Sequence, residues 1–433
     1  NCVKKACVYD RYREEAQYIR NLEQVDALFF DCMGCFSCVQ DCTKNLLCLS
    51  INPEYERLGN SYWTPEIIQT TWLQAETAKI PVSGAGYGGR FSGSGFDSMW
   101  TDMSEIVRPT RDGIHGREYI STAVDLGRKL SYLALKGDEL LSDLPPLTSI
   151  PMPLIIDMLP DFYALPELDE LLLETAVRTN LIAILDAEKF SFSGRDMDRI
   201  LPHLSLYLSS TAPLPPEEIL KGLRLVEIQY AENCENRISE LRKIHPEIVV
   251  SVRVNLDSKG IERAVALSDA DADAIHIVAD SNGNEIGTDK PMFVKDMIRK
   301  IHKALLEKGW RDDVTLIAGG GIALAEHMAK GLLCGADLVS IELPLLVGLE
   351  CRLCSVCREG RACPAKIREI DFNYGVGRMT NLIAAWHDQL VELMGAMGMR
   401  DARRLRGDTG RAMFFEQLEE ETFGRLFGKR LQA

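Results

Sequence analysis

Eight short apolar runs recur through the chain from about residue 150 onward, and they limit its architecture more than any other feature. They lie at 152–157, 181–185, 204–208, 225–230, 248–254, 274–278, 314–318 and 337–341, and most start 21 to 29 residues after the one before. Each is strand-sized, and its nearly unbroken apolar character is that of a strand buried on both faces. Helical patterns fill the intervals, for instance at 167–177, 217–223, 237–244, 293–306 and 325–333. Eight β/α units predict closure into a parallel barrel whose chemistry lies at the C-terminal ends of the strands.

Composition narrows the partners. A net charge of −15 leaves little basis for binding a polyanion, since nucleic-acid affinity rests on Lys and Arg neutralising phosphates. The longest apolar stretches fall far short of the roughly 20 residues that a membrane span needs. No charged start followed by an apolar segment marks a secretory leader, so the cytoplasm is the expected compartment. The thirteen cysteines are an odd number gathered into two clusters, a distribution that suits metal ligation better than a disulfide framework and implies a reducing environment.

The first cluster reads Cys32-Met-Gly-Cys35-Phe-Ser-Cys38-Val-Gln-Asp-Cys42, a C-x2-C-x2-C-x3-C run of the bacterial ferredoxin kind. Short loops let successive thiolates wrap one cubane, whereas zinc sites usually separate two C-x2-C pairs with a longer spacer. Cys32, Cys35, Cys38 and Cys42 are therefore expected to hold a 4Fe-4S cluster. Thr43 stands where ferredoxins usually carry proline. Cys2, Cys7 and Cys48 fit no ligand spacing and read as buried free thiols.

The second cluster follows the eighth strand as Cys351-Arg-Leu-Cys354-Ser-Val-Cys357-Arg-Glu-Gly-Arg-Ala-Cys363-Pro364. Cys351, Cys354, Cys357 and Cys363 are the expected ligands of a second cluster, of the 4Fe-4S or 3Fe-4S type, with zinc as the rival. The fold expected overall is a (β/α)8 TIM barrel of the α/β class, with a small N-terminal ferredoxin-like iron-sulfur segment and a C-terminal helical extension. The expected divisions are 1–56 for the iron-sulfur segment, 57–148 for a connecting region, 149–375 for the barrel and 376–433 for C-terminal helices.

Gly319-Gly320-Gly321, after the seventh strand, reads either as backbone amides that hold a phosphate at a helix start or as a tight turn needing positive φ. The Gly84-x-Gly86-x-x-Gly89 match lacks a preceding strand and reads as irregular loop. His276, among apolar neighbours in the sixth strand, reads as a satisfied core histidine, and Met152, Met158 and the methionines of 394–399 read as packing. The acidic run 416–421 reads as a solvated helix face.

Several stretches together resemble the FMN-binding barrel of glutamate synthase, in the short archaeal-type form with a ferredoxin-like N-terminus. They are Tyr62-Trp63-Thr64-Pro65-Glu66, Ala75-Glu76-Thr77, Ser104-Glu105-Ile106-Val107-Arg108-Pro109, Gly116-Arg117-Glu118-Tyr119-Ile120-Ser121-Thr122, Gly320-Gly321-Ile322, Gly335-Ala336-Asp337, the cysteines 351, 357 and 363, and 381–405. The resemblance implies FMN on the C-terminal face beside an iron-sulfur cluster, with Arg253, Gly319, Gly320 and Gly321 at the cofactor. It also implies electrons passed between clusters and flavin, with other redox subunits or ferredoxin as partners in a hetero-oligomer. The chain departs from the family where a strand-5 lysine becomes Arg253, where a glycine-rich loop after strand 6 becomes Ala279-Asp280-Ser281-Asn282-Gly283-Asn284-Glu285, and where a phosphate-contacting Gly-Thr becomes Glu342-Leu343. These departures predict loss of the 2-oxoglutarate site. The alternatives are an authentic ferredoxin-dependent glutamate synthase large subunit and a flavin-free scaffold for clusters.

Overall fold

The computed structural model describes residues 35–46, 53–80, 93–102, 119–129, 144–161, 165–355 and 361–424, with a few short pieces and single positions besides. Cys2, Cys7, Cys32, Cys48, the 84–89 glycine match and residues 103–118 lie outside the described residues.

Eight parallel strands close into a barrel in sequence order. They are β1 (Leu154–Ile156), β2 (Ala183–Asp186), β3 (Leu204–Leu208), β4 (Leu225–Gln229), β5 (Val249–Asn255), β6 (Ala274–Val278), β7 (Thr315–Gly319) and β8 (Leu338–Ile341). The predicted runs and the observed strands coincide at β3 and β6 and differ by one or two residues elsewhere. Closure falls between β8 and β1, where Val339 pairs with Leu154 and Ile341 with Ile156. Burial on both faces explains the apolar runs: every residue of β7 and of β8 is buried, the inward ones among barrel side chains and the outward ones under helices.

The helices that matter for the site are α1 (Pro65–Thr77), α2 (Pro166–Thr179), α3 (Glu217–Gly222), α4 (Cys234–Ile244), α5 (Gly260–Ala266), α6 (Val294–Lys308), α7 (Ala325–Cys334), α8 (Leu343–Gly348) and α9 (Phe372–Ala396). Local chemistry sets their ends. Pro166 opens α2 and Asn180 closes it in the left-handed region, while Gly309 does the same after α6. Asp371 caps α9 by accepting a hydrogen bond from the Tyr374 amide. The buried face of α9 carries Leu382, Trp386, Leu390 and Met394, and the helix lies against α1, α2 and α7. Met152, Met394, Met397 and Met399 are core residues, as their composition predicts, whereas Met158 is partly exposed and lies on a cavity wall. The acidic run falls on Phe415–Glu419 and the turn after it, with Glu416, Glu420 and Glu421 exposed.

Candidate functional site at the barrel mouth

A cavity of about 470 Å³ opens at the C-terminal ends of the strands, where barrel chemistry is expected. Its size lies within the ~300–1,000 Å³ of small-molecule sites. The floor is polar, with Asp157 following β1, Arg253 from β5 and Glu342 following β8. The walls are largely apolar and aromatic, and include Trp63, Met158, Tyr163, Leu343 and Leu353.

Arg253 is held from two sides. One of its terminal nitrogens donates to Asp157 Oδ1 at 2.8 Å and to Glu227 Oε1 at 2.9 Å, and the other donates to Asp157 Oδ2 at 3.0 Å. The paired bonds to Asp157 match guanidinium and carboxylate geometry. Beneath them His276 brings Nδ1 to 2.6 Å from Glu227 and Nε2 to 2.9 Å from the Ser340 hydroxyl, which donates to Asp157 Oδ2 at 3.2 Å. His276 is thus a satisfied interior residue, as expected from its apolar neighbours. Burial pushes the Asp157 and Glu227 carboxyls up, but Arg253 and His276 outweigh it and hold both below the usual carboxylate range. Glu342 has no such support. Burial and the nearby Asp157 charge push its carboxyl up to about 8 despite Arg253, so it is mostly a neutral acid at pH 7.

The glycine triplet serves this network and the neighbouring loop. A Cβ on Gly319 would lie 2.3 Å from Ser340 Oγ and 3.2 Å from His276 Nε2, so the missing side chain leaves room for their hydrogen bond. Gly320 and Gly321 have φ of +87° and +70° and approach the backbone of Ala279 and Gly283. The Tyr62 hydroxyl donates to the Gly321 carbonyl, and none of the three glycines lines the cavity. Arg253 does line it.

Residues 60–63 form a strap over the mouth. Trp63 Nε1 donates to the Ser281 carbonyl at 2.8 Å and Asn60 Nδ2 to Asn282 at 3.3 Å. The strap also reaches the second cysteine loop, because the Gly59 amide donates to the Arg352 carbonyl at 2.9 Å. Leu353 and Ser355 of that loop line the cavity, so the loop and the mouth share a wall.

The described thiols, Cys35, Cys38 and Cys42 in the first loop and Cys351, Cys354, Cys357 and Cys363 in the second, are donors of the kind that iron-sulfur clusters take. In the second, Glu350, Leu353 and Ser355 all take positive φ, which winds the backbone tightly between the thiols. Burial, with the charges of Cys363, Cys354 and Cys357 nearby, pushes the Cys351 thiol up to about 12, so the four thiols sense one another. In the first, the Ser37 amide and hydroxyl hold the Cys35 thiol below its ordinary value, and the Leu46 amide donates to Cys42 Sγ at 3.3 Å. Backbone N–H groups aimed at sulfur are the usual surroundings of a cluster thiolate.

Asp157, Glu227 and Ser340 were not singled out by sequence reasoning. A signal existed: Glu227 and Ser340 are polar residues within otherwise apolar strands, at positions where alternation points side chains into the barrel.

Residues 212–400 match the model of the conserved region in glutamate synthase. The archaeal-type glutamate synthase [NADPH] of Dehalococcoides mccartyi is 22% identical over 94% of this chain and 92% of its own length. The chain is thus similar to the archaeal-type glutamate synthases along most of its length. The archaeal glutamate synthase [NADPH] of Archaeoglobus fulgidus is 23% identical over 95% of this chain and 91% of its own, and that of Methanocaldococcus jannaschii is 29% identical over 40% and 36%. Among solved structures, a mutant flavocytochrome b2 with pyruvate bound covers 84% of this chain and 90% of its own at 12% identity and a TM-score of 0.48. No helix among the described residues is long and apolar enough to cross a membrane.

Proposed function

We propose that the chain passes electrons between two iron-sulfur clusters and an FMN at the barrel mouth, as a subunit of a larger redox assembly. The observation that carries this reading is the shared wall: Leu353 and Ser355 of the second cysteine loop line the cavity that Arg253 floors. Cys351, Cys354, Cys357 and Cys363 would hold the nearer cluster, and Cys32, Cys35, Cys38 and Cys42 the outer one, before the division near residue 57. A flavin in the mouth would supply two-electron chemistry, with the clusters supplying single electrons.

The chain's own residues suit the ring of such a cofactor. Trp63, Tyr163 and Leu343 offer flat or apolar surface, and Arg253 lies on the floor with its charge shared between two carboxylates. Glu342 held as a neutral acid is able to donate a hydrogen bond and repels an anion less than a carboxylate would, which eases the conflict that an acidic residue after β8 presents on sequence alone. Asn60 and Trp63 of the strap are tied to the loop at 281–282 beside the mouth.

A second reading has its own support. The closed glycine turn at Gly320 and Gly321, packed on Ala279 and Gly283, favours a barrel that carries clusters and no flavin. One experiment separates the two. Chain purified without oxygen is extracted with acid, and its flavin, iron and sulfide are measured beside its electron paramagnetic resonance spectrum. About one FMN and about eight irons per chain support the first reading. Iron without flavin supports the second, and absence of iron overturns both. Steady formation of glutamate from 2-oxoglutarate, ammonia and reduced ferredoxin would instead favour an authentic glutamate synthase.

A further inference from the structure

The described lining of the mouth cavity holds no histidine, cysteine or lysine, and its carboxyl groups are those of Asp157, Asp161 and Glu342. Their settings differ sharply. Asp157 is saturated: Arg253 donates to its two oxygens at 2.8 and 3.0 Å, the Ser340 hydroxyl donates at 3.2 Å and the Met158 amide at 2.9 Å. Asp161 stands at the exposed rim, where Lys189 pairs with it at 2.8 Å. Glu342 has neither kind of support. It precedes α8 without capping it, lines the cavity and makes no ion pair among the described residues.

A carboxyl set beside a fixed anion and given no cation of its own keeps its proton, and Glu342 does so up to about 8. The groups that face it are held in place. Asp157 after β1 stays an anion under Arg253 of β5, and a guanidinium does not give up a proton. The Tyr62 hydroxyl of the strap is spent on the Gly321 carbonyl, and burial pushes it up. Asp157 and Glu342 are thus two acids of one cavity driven apart in acidity, an arrangement that makes one a fixed charge and the other a proton donor. Such a donor answers a need of electron transfer at this place. Placing two electrons on a flavin ring requires a proton at a ring nitrogen, and iron-sulfur clusters carry electrons without protons.

We propose that Glu342 is the proton donor of the mouth, releasing its proton to the ring as electrons arrive and regaining one from water that enters the cavity. This rests on the electron-transfer reading and adds the source of its protons. The Glu342 O–H bond breaks as an N–H bond forms on the ring, and the two electrons leave two reduced clusters, one from each. The Asp157 charge then favours reloading, because it opposes a second anion beside it.

The test uses the full chain purified without oxygen, with its flavin content measured first by acid extraction. Dithionite is mixed in by stopped flow at neutral and mildly alkaline pH, and bleaching of the bound flavin is timed. The rate is expected to be level below about pH 8 and to fall about tenfold per pH unit above it. Glu342→Gln is expected to be about a hundredfold slower at neutral pH and to lack the break, while Glu342→Asp, which restores an acid, keeps a break and regains most of the rate. Infrared absorption of a protonated carboxyl gives a readout that needs no turnover: a band should fade with a midpoint near 8 in the parent and be missing from Glu342→Gln. A rate or break that survives in Glu342→Gln overturns the proposal while the electron-transfer reading stands. A parent rate level through about pH 9, or the absence of a titrating band, also overturns it, so a Gln variant that comes without flavin does not shelter it. A parent chain that holds no flavin overturns the electron-transfer reading and this proposal together.

Discussion

Arg253 on β5 grips Asp157 at the end of β1 through two parallel hydrogen bonds of 2.8 and 3.0 Å, tying together strands on different sides of the barrel. The two residues are 96 positions apart in sequence, so the bond forms only once the barrel has closed. It fixes the floor of the cavity and completes a network of Glu227, His276 and Ser340 that fills the interior below.

Removing one partner of that pair should be costly. Arg253→Met keeps much of the side-chain volume but leaves Asp157 and Glu227 buried with no guanidinium between them. Breaking a buried ion pair from one side typically costs about 3–5 kcal/mol. Urea unfolding should show a loss of that order, and adding Asp157→Asn and Glu227→Gln to the same chain should recover part of it. If the single and triple variants unfold at the same midpoint, the network is not acting as a charge-balanced unit.

Gly319 should couple energetically to Ser340. An alanine Cβ there would lie 2.3 Å from Ser340 Oγ, so Gly319→Ala must push that hydroxyl off its bonds to His276 and Asp157. Overpacking of this kind costs about 1–3 kcal/mol. Ser340→Ala removes the atom in conflict, so the double variant should lose clearly less than the sum of the singles. Additive losses would mean that the alanine is accommodated by backbone movement instead.

The fold was legible because a strand buried on both faces must be apolar throughout, and that requirement writes eight runs into the sequence. Boundaries shifted where an apolar residue is not a strand residue: Met152 and Pro153 look like the start of the first run, yet β1 begins at Leu154. The cysteine loops stood out because each gathers four cysteines into one short stretch of sequence. The network beneath the cavity was not legible, since Asp157, Glu227, Arg253 and Ser340 lie in or just after four different strands and only closure brings them together. The glycine triplet shows the same limit in another form. A missing side chain marks a close approach, but sequence cannot say whether a phosphate or the Ser340 hydroxyl occupies the space.

Glu342 should leave a mark on the pH dependence of stability. It faces Asp157 from β1, Arg253 from β5 and the Tyr62 ring from the strap. In the folded chain it holds its proton up to about 8, whereas its ordinary value is 4.5. Between these values the folded state binds more protons than the unfolded one, so this carboxyl lowers stability progressively as pH rises from 4.5 to about 8. Glu342→Gln cannot ionise and lacks that slope. Its stability relative to the parent should therefore rise across the window and level off above it, as read from urea midpoints at several pH values. A constant difference would place the proton elsewhere.

On the proposed electron-transfer reading, Arg378 should control how firmly the cluster of the second cysteine loop is held. From α9 its Nε donates to the Gly348 carbonyl at 2.6 Å, another nitrogen donates to the Trp72 carbonyl at 3.3 Å, and Glu350 lies 3.6 Å away. Gly348 ends α8, and Glu350 begins the left-handed stretch that leads into Cys351. The guanidinium thus ties the end of α8 and the start of the cysteine loop to α9. Arg378→Met should leave buried carbonyls without a donor and cost about 1–3 kcal/mol for each such group. The distinguishing effect is selective. Iron from the loop at 351–363 should escape to a chelator faster than in the parent chain, while iron from the loop at 32–42, which Arg378 does not brace, should leave at the parent rate. A role in general stability alone would lower the melting temperature and leave both phases of iron release unchanged.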